Sequence, residues 1–484
     1  MIESHLLHHR GGYIGGSWVD GSGESFLVTN PANGRVVSEL RAMGRTETER
    51  AIAAAADALR VPSAIEDRRR WLGSLASVVR EERAEIGRII TAENGKPLAE
   101  AEAEADYAAG FYEFAAAHVD HLGSRTLSDR PRNHAWTIHH RPAGVAGLIT
   151  PWNFPFAMIA KKLAAALAGG APSVIKPAEK TPLSMIALFT LLERIGPPAG
   201  MANLVFGDAP AIGGVLCVHP AVRVLSFTGS TQVGRLLLEQ SAPHIKRVAL
   251  ELGGNAPYLV FEDADLELAA NHLIQNKLRA GGQTCVCANR VLVARGVADA
   301  FTDRLIDRLK PLRVGDGMTP GVAVGPMIDR LGFEKVERHF RDAVQHGARC
   351  VYQGEAPERP VDPDAAGGWF FPLTVLRGVD SGMLCAREET FGPLFPLFEF
   401  ADEDAAVAMA NDTEYGLAAY LFTADEGRAE RIISRLHYGH VGHNSGTGPT
   451  PEAPFGGMGH SGLGREGGLE GLSDFVELQT VARS

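Results

Sequence analysis

The apolar residues between 145 and 240 follow two alternating patterns. Short apolar runs bounded by turn residues, which are typical of buried strands, alternate with longer stretches of helical spacing. These patterns predict strands at 145–150, 173–176 and 222–227, and helices at 156–168, 183–195 and 234–240. A repeated strand-helix order favours a parallel sheet with helices on both faces, so we expect an α/β fold. In such a sheet, ligands bind beyond the carboxyl ends of the strands.

The alternation continues in a second region, from 250 to about 441. Here the pattern predicts strands at 256–261 and 290–294, and helices at 266–280 and 298–309. Two separate segments, 134–140 and 474–481, also have the character of strands. A chain of 484 residues is too long for one hydrophobic core, so two or three domains are expected.

The composition is that of a folded protein, with 45% hydrophobic and 22% charged residues. A net charge of -11 argues against a nucleic-acid or acidic-membrane partner, since such partners favour a basic surface. Five cysteines are too few and too scattered for a disulfide scaffold. Neither a secretory signal nor a membrane-spanning stretch is evident. We therefore expect a cytoplasmic protein that binds neither nucleic acid nor membranes.

The strongest chemical signal is GGQTCVC at 281–287. A cysteine that follows small residues at the end of a predicted helix is free to face a cleft, and its thiolate is a strong nucleophile. By itself, Cys285 is more often a buried structural residue. The surrounding motifs favour a nucleophilic over a structural role for Cys285.

Four further motifs lie at predicted strand ends. LELGGN at 250–255 places Glu251 after an apolar strand, and TPWNFP at 150–155 holds Asn153, an oxyanion donor, between prolines. KPAE at 176–179 follows another strand. FTGSTQVG at 227–234 is a glycine turn that opens a helix, which suits a phosphate group, although its spacing alone is a weak dinucleotide signal.

Together these motifs resemble the aldehyde dehydrogenase superfamily, from about Tyr13 to Val481. EETFGP at 388–393 and PFGG at 454–457 belong to the same resemblance. It implies a Rossmann-like cofactor domain formed by 1–123 and 143–252, and an α/β catalytic domain at 253–455. It also implies oligomerisation strands at 124–142 and 468–484, and hence a homodimer or homotetramer.

The resemblance implies a role for each matching residue. Cys285 is the nucleophile, Glu251 the general base, and Asn153 with the Cys285 backbone N–H the oxyanion site. The residues implied to bind the cofactor are Trp152, Lys176, Glu179, Gly229, Ser230, Leu252, Glu389 and Phe391. The chemistry fits these residue types, because thiolate attack makes the aldehyde carbon tetrahedral and able to release hydride. The thioester that remains is then hydrolysed by water that Glu251 activates.

Two other functions are compatible with these motifs. A relative that transfers the acyl group to coenzyme A would also use Cys285, but Glu251 favours hydrolysis. A non-catalytic member of the superfamily is disfavoured by the presence of Cys285, Glu251 and Asn153 together.

Within the superfamily the chain is most similar to succinate-semialdehyde dehydrogenases. GLGREG at 462–467 and the CVC run resemble that group. Arg279 matches an arginine that the group uses for the substrate's distal carboxylate, and Phe455 is placed beside the substrate. The group's second arginine falls on Lys161, which keeps the charge but not the bidentate fork. NSGTGP at 444–449 is unlike the group, so glutarate semialdehyde or a sulfonated or aromatic aldehyde is an alternative substrate.

The resemblance also leads to expectations about cofactor and redox chemistry. Glu179 accepts hydrogen bonds from ribose hydroxyls but repels a 2′-phosphate, so NAD is predicted as the preferred cofactor and NADP as the alternative. Lys180 would weaken that preference. Cys287 is a candidate disulfide partner of Cys285, or a small packing residue. His437, His440 and His443 recur every three residues without other ligands nearby, so no metal site is predicted.

Overall fold

The computed structural model describes residues 2–129, 131–362 and 364–484. Two large sheets form its framework. The first sheet has eight strands, in the order Ser17–Val19, Gly12–Ile14, Ala202–Leu204, Ser173–Lys176, Val145–Ile149, Val222–Thr228, Arg247–Glu251 and Gly462–Leu463. Its five central strands, from Ala202–Leu204 to Arg247–Glu251, are parallel, as the alternating pattern predicts. The edge strands pair antiparallel.

The strand order of the first sheet reverses beside Val145–Ile149. The chain passes from this strand outward to Ser173–Lys176 and Ala202–Leu204, then returns to pair Val222–Thr228 on its other side. A crevice forms at such a switch point, beyond the carboxyl ends of the two adjacent strands. The two strands end directly before the Thr150–Pro155 and Gly229–Ser230 motifs, so the topology brings these motifs together.

The second sheet has seven strands, in the order Arg349–Gln353, Thr374–Arg377, Leu394–Phe400, Arg290–Ala294, Pro257–Val260, Ala418–Phe422 and His440–His443. All neighbouring pairs are parallel except the antiparallel pair formed by the first two strands. Pro257–Val260 and Arg290–Ala294 lie in the centre and are buried throughout, which explains their continuous apolar sequence.

Helices cover both sheets. Those in the N-terminal half of the chain are Arg45–Leu59, Ile65–Glu81, Arg83–Asn94, Leu98–His118, Ala157–Gly169, Leu183–Ile195, Ala209–Val218 and Thr231–Ser241. The later ones are Leu266–Lys277, Ala298–Leu309, Arg330–Gln345, Leu384–Arg387, Glu403–Asn411, Glu426–Ile433 and Gly468–Ser473. Short two-stranded ladders pair Ser25–Thr29 with Val36–Arg41, Arg313–Val314 with Val322–Val324, and Tyr415–Gly416 with Met458–Gly459. In the described ranges, none of the helices is long and apolar enough to cross a bilayer.

The helix before the cysteine motif ends earlier than predicted. The sequence pattern favours a helix over 266–280, but Leu266–Lys277 stops three residues sooner. Ala280 and Gly281 adopt positive φ angles of 48° and 64°, which an α-helix does not accommodate. The prediction that one continuous helix carries Arg279 toward Cys285 is therefore wrong; Arg279 begins a tight non-helical turn.

A third, three-stranded sheet joins the two predicted oligomerisation segments. Its order is Val476–Arg483, Ala135–Pro142 and Arg125–Thr126, all antiparallel. The tail is strand only from Val476; Gly468–Ser473 is helical. Residue 130, within the segment 124–142, lies outside the described residues. Among the residues described, the outer edge of Val476–Arg483 pairs with no other strand.

Candidate active site

A cavity of about 260 Å³ opens at the switch point of the first sheet and extends to the second. Its lining includes three motifs singled out in the sequence, TPWNFP, FTGSTQVG and GGQTCVC. The lining residues are Pro151, Trp152, Asn153, Met158, Thr228, Gly229, Ser230, Leu252, Gly253, Gln283, Cys285, Met327, Gly332, Lys335, Glu389, Thr390 and Phe391. Seven of the predicted cofactor and catalytic residues besides Cys285 therefore surround one space.

A second cavity lies on the opposite side of Cys285. It is lined by Tyr107, Phe154, Met158, Lys161, Thr228, Glu251, Arg279, Thr284, Cys285, Val286, Pro449, Phe455 and Glu466. Cys285, Met158 and Thr228 line both cavities. The half-buried thiol of Cys285 therefore stands where the predicted cofactor side meets the predicted substrate side.

The loop of Cys285 depends on two consecutive glycines. Gly281 and Gly282 have φ angles of 64° and 79°, in the left-handed region that favours glycine. A Cβ on Gly282 would lie 2.4 Å from the carbonyl oxygen of Gly392, in the segment that follows Phe391. This close approach places the cysteine loop directly against the segment that carries Glu389 and Phe391.

Burial raises the pKa of the Cys285 thiol, and the neighbouring carboxylates Glu389 and Glu251 raise that pKa further. Lys161 acts in the opposite direction. In the absence of ligands the site therefore holds Cys285 as a neutral thiol. An acceptor for its proton is needed before it can attack a carbonyl carbon.

Asn153 bridges the two halves of the site. Its side-chain amide donates a hydrogen bond to the Gln283 carbonyl, at 2.9 Å, and its own carbonyl accepts one from Lys96 Nζ, at 2.7 Å. Lys96 forms a buried ion pair with Glu104, whose other oxygen accepts hydrogen bonds from the backbone at the start of the helix Ala157–Gly169. None of the motifs singled out in the sequence contains Lys96 or Glu104, so this network emerges only from the structure.

Glu251 ends the last parallel strand of the first sheet and is 4% exposed. Neither of its carboxylate oxygens has a hydrogen-bond partner among the residues that the structure describes. Burial raises the pKa of Glu251 well above its ordinary value, and the nearby carboxylate of Glu466 adds to the rise. A carboxylate without partners is free to accept a proton from water, which suits a general base.

Glu466 and Lys162 belong to the site although the sequence analysis did not select them. Lys162 Nζ donates hydrogen bonds to Glu466 Oε1 at 2.5 Å and to Ser226 Oγ at 3.0 Å. The backbone of Glu466 pairs with that of Phe455 through two hydrogen bonds of 2.7 Å. The only sequence signal was that Glu466 lies within the GLGREG run and Phe455 within PFGG.

The predicted substrate residues share the second cavity but differ in their surroundings. The Arg279 guanidinium lies over the Phe154 ring, 5.2 Å from its centre, and forms no ion pair with a residue that the structure describes. Lys161 is enclosed by aromatic rings and lies 3.9 Å from Glu466 Oε2. The two cations therefore line the same cavity, but only Lys161 has a carboxylate of the described residues within ion-pair distance.

The first cavity has features that fit a dinucleotide. Ser230 caps the helix Thr231–Ser241 by accepting a hydrogen bond from Val233 N, so the helix N-terminus faces the cavity beside Gly229. A Cβ on Gly229 would lie 2.3 Å from the ring of Phe227, which explains the glycine. Helix N-termini attract phosphate through free N–H groups and the helix dipole.

Glu389 and Phe391 lie at the inner end of the first cavity. Glu389 accepts a hydrogen bond from Gly254 N at 3.1 Å, and burial raises its pKa. Phe391 has a φ of 59° and packs edge-on against Trp152, with 5.7 Å between ring centres. A carboxylate and an aromatic face next to Cys285 suit the ribose and the ring of a nicotinamide.

Lys176 and Glu179 lie outside the lining of this cavity and contact each other through Lys176 Nζ and Glu179 Oε1. The Lys176 carbonyl accepts a hydrogen bond from Thr150 N, so the pair lies beside the start of TPWNFP. Lys180 forms an ion pair with Asp329. Two lysines and two carboxylates therefore flank the lining of the first cavity, and we call this group its outer rim.

Cys287 is buried and lines neither cavity. Its thiol donates to the Gly282 carbonyl at 3.4 Å, and Lys277 Nζ lies 3.8 Å from its sulfur. All five cysteines are free. His440 and His443 of the predicted histidine series contact the backbone carbonyls of Thr447 and Thr423, respectively.

Comparisons with known proteins agree with this geometry. The aldehyde dehydrogenase family matches residues 18–481. The chain is 46% identical to a succinate-semialdehyde dehydrogenase [NADP(+)] of Escherichia coli, over 99% of this chain and 98% of that protein. It is 44% identical to a glutarate-semialdehyde dehydrogenase of Pseudomonas aeruginosa, with the same coverages. A 3-sulfolactaldehyde dehydrogenase of Pseudomonas putida is 45% identical over 99% of this chain and 98% of that protein.

Among solved structures, a succinate-semialdehyde dehydrogenase from Burkholderia pseudomallei superimposes with a TM-score of 0.95 at 45% identity. The match covers 100% of this chain and 99% of that one. Sequence and fold therefore point to the same group of enzymes.

Proposed function

Because the chain belongs to the aldehyde dehydrogenase family, we propose that it oxidises an aldehyde with an anionic far end, succinate semialdehyde first among them. The observation that carries this proposal is the second cavity, which contains Cys285 at one side and the guanidinium of Arg279, without a carboxylate partner, at another. A cation in a largely apolar cavity is costly unless an anion meets it.

Cys285 attacks the aldehyde carbon in this proposal, and the resulting oxyanion is held by Asn153 and the Cys285 backbone N–H. The Asn153 amide has two N–H groups, one of which is used by the Gln283 carbonyl, so the second is available to the oxyanion. Preorganised donors of this kind lower the barrier because they need no reorientation during the reaction.

Thioester hydrolysis is the task we propose for Glu251. Its unpartnered carboxylate lines the same cavity as Cys285, so a water between them would meet both the base and the thioester carbon. A bound NAD(P) would supply the hydride acceptor for this oxidation. Gly229, Ser230, Leu252, Glu389, Phe391 and Trp152 would hold that cofactor.

The names of the relatives support an anionic substrate. Succinate semialdehyde, glutarate semialdehyde and 3-sulfolactaldehyde all carry a carboxylate or sulfonate, and their dehydrogenases share 44–46% identity with this chain. Arg279 suits any of these anions. We place succinate semialdehyde first, because the relative with 46% identity and one of the matching solved structures both bear that name.

The predicted preference for NAD is not supported by the relatives, because the Escherichia coli enzyme is named as NADP(+)-dependent. We propose that this chain uses NADP. Lys176 and Lys180 stand at the outer rim and offer two cations to a 2′-phosphate, provided that Glu179 turns away from Lys176. Glu179 then limits how strongly NADP is preferred over NAD.

A homo-oligomer is a further part of the proposal. The outer edge of Val476–Arg483 is free within the described residues, and Leu478 on that strand is 66% exposed. A second copy of the chain would cover both features.

The decisive experiment follows cofactor reduction with succinate semialdehyde, with and without coenzyme A, in the parent and in two variants. Cys285→Ala should abolish reduction yet retain cofactor binding. Glu251→Gln should give one rapid burst of reduction followed by very slow turnover, because the thioester accumulates. Turnover that requires coenzyme A would instead identify an acylating enzyme, and the absence of reduction with every aldehyde would indicate a non-catalytic relative.

A further inference from the structure

Lys161 is enclosed on all sides within the second cavity. It lies on the helix Ala157–Gly169, and its side chain is 2% exposed. Its ammonium is within 6 Å of three aromatic ring centres, at 5.8 Å from Tyr107, 5.6 Å from Phe111 and 5.1 Å from Phe455. Among the described residues its one ion pair is with Glu466, whose Oε2 lies 3.9 Å from Nζ.

Glu466 lies between two buried lysines. Its Oε1 accepts a hydrogen bond from Lys162 Nζ at 2.5 Å, whereas its Oε2 has no hydrogen-bond partner and faces Lys161. Lys162 has a second partner in Ser226, at 3.0 Å. Lys162 therefore uses two of its three N–H donors on Glu466 and Ser226, whereas Lys161 lies near Glu466 without a hydrogen bond to it.

Glu251 lines the same cavity as Lys161 and Glu466, and both it and Glu466 interact electrostatically with the Lys161 ammonium. The charges that act on Glu251 come from Glu466, Lys161, Lys162 and Arg465, and those that act on Lys161 come from Tyr107, Glu466, Glu251 and Cys285. Within the described part of the chain, no group donates a side-chain hydrogen bond to the Glu251 carboxylate that would stabilise its ionised form. Its ionisation therefore depends on the balance between the negative Glu466 and the positive lysines.

Arg279 differs from Lys161 in this respect. No carboxylate that the structure describes forms an ion pair with Arg279, and its guanidinium lies over the Phe154 ring. The carboxylate of Glu100, which accepts a hydrogen bond from Ala280 N, acts on Arg279 only from beyond ion-pair distance. A substrate anion that meets Arg279 need not displace a protein carboxylate. An anion that meets Lys161 must compete with Glu466 and Glu251.

We infer that Lys161 is a positioning residue for the Glu251 base: its ammonium offsets Glu466 and favours the ionised form of Glu251, while Arg279 receives the anionic end of the aldehyde. This rests on the proposed role of Glu251 in hydrolysis. It assigns to Lys161 a task different from the binding of the distal anion that the sequence comparison implied.

The sign of the effect follows from electrostatics. Without the positive charge of Lys161, the negative charge of Glu466 is less well offset, so Glu251 takes up a proton more readily. The acidic limb of the pH profile of thioester hydrolysis therefore moves to higher pH. Loss of the Glu466 charge has the opposite effect. A full charge several ångströms away in a buried site is expected to move the limb by about one pH unit.

The experiment measures the slow phase after the burst of cofactor reduction, as a function of pH, with succinate semialdehyde and with butanal. Lys161→Met should slow hydrolysis at neutral pH for both aldehydes, with recovery at higher pH. Lys161→Arg should restore the parental pH dependence, because it keeps the charge. Glu466→Gln should move the limb to lower pH, and cofactor binding by each variant reports on folding.

Two results would overturn the inference. One is a Lys161→Met variant with the parental pH limb and a raised KM for succinate semialdehyde alone, which would make Lys161 an anion ligand. The other is equal slowing in Lys161→Met and Lys161→Arg, without any shift in pH dependence, which would make Lys161 a packing residue. Failure of the underlying proposal is distinguishable, since Glu251→Gln would then keep the parental slow phase and its pH limb.

Discussion

The Asn153 side-chain amide donates a hydrogen bond to the Gln283 carbonyl oxygen, 2.9 Å away, and so ties the first sheet to the cysteine loop. Asn153 follows a strand of the first sheet, whereas Gln283 lies in the loop that leads to the second. The proposed oxyanion donor and the loop of the proposed nucleophile are therefore held relative to each other before a substrate binds. Preorganisation of this kind is what makes an oxyanion site effective.

Asn153→Ala should lower kcat about 10²- to 10³-fold, the usual effect of removing an oxyanion donor. The cofactor dissociation constant should remain close to the parental value, because Asn153 contributes a donor to the reacting carbonyl rather than to the phosphates. Single-turnover kinetics and cofactor titration would measure the two quantities. A parental rate of the burst phase would show that another group holds the oxyanion.

Arg279→Ala should raise the KM for succinate semialdehyde about a hundredfold, because a charge-assisted hydrogen bond to the distal carboxylate is lost. Butanal, which has the same number of carbons and no carboxylate, should be oxidised as well as by the parent. Arg279→Lys, which keeps the charge without the fork, should fall between the two. An equal loss with both aldehydes would mean that Arg279 serves the structure of the loop.

Glu179→Ser should raise the ratio of kcat/KM with NADP to that with NAD about tenfold, through the loss of repulsion between a carboxylate and the 2′-phosphate. It also releases Lys176 from its contact with Glu179. Steady-state kinetics with both cofactors at saturating aldehyde would give the ratio. An unchanged ratio would remove Glu179 as a determinant, and a parental enzyme with higher kcat/KM for NAD would overturn the proposed use of NADP.

Leu478→Lys should weaken self-association, because it puts a charge on the exposed face of the free-edged strand. Val361→Lys is a matched control, since Val361 is fully exposed in a surface loop. Sedimentation velocity at micromolar concentration should show an oligomer for the parent and the control, and smaller species for Leu478→Lys. A monomeric parent would refute the oligomer.

Peroxide should inactivate the parent reversibly through a Cys285–Cys287 disulfide, and the rate should rise with pH. Burial raises the pKa of both thiols, so their reactive thiolates form only as the pH increases. Thiol reductant should restore the parent and the control Cys350→Ala, whose cysteine is exposed. Cys287→Ala should lose activity irreversibly; if it recovers like the parent, Cys287 is a packing residue.

The sequence by itself determined the layered α/β framework. Strands at 173–176 and 290–294, and helices at 183–195 and 298–309, have the same bounds in the structure as in the prediction. These elements are buried and regular, so their apolar spacing directly reflects their packing. The motifs around Cys285, Glu251 and Asn153 were equally visible, because each pairs a reactive side chain with the turn residues that position it.

The tertiary structure decided which charges meet. Glu466 and Lys162 are 304 positions apart in sequence, so no local pattern links them. In the fold they form an ion pair whose two charges both act on Glu251, the proposed base. The path of the loop after Lys277 also depends on tertiary contacts, since the Gly392 backbone leaves no space for a side chain at Gly282. Local spacing records which face of an element is buried, but only the packed sheets determine the neighbours of Lys161 and Arg279, and with them the electrostatics of the site.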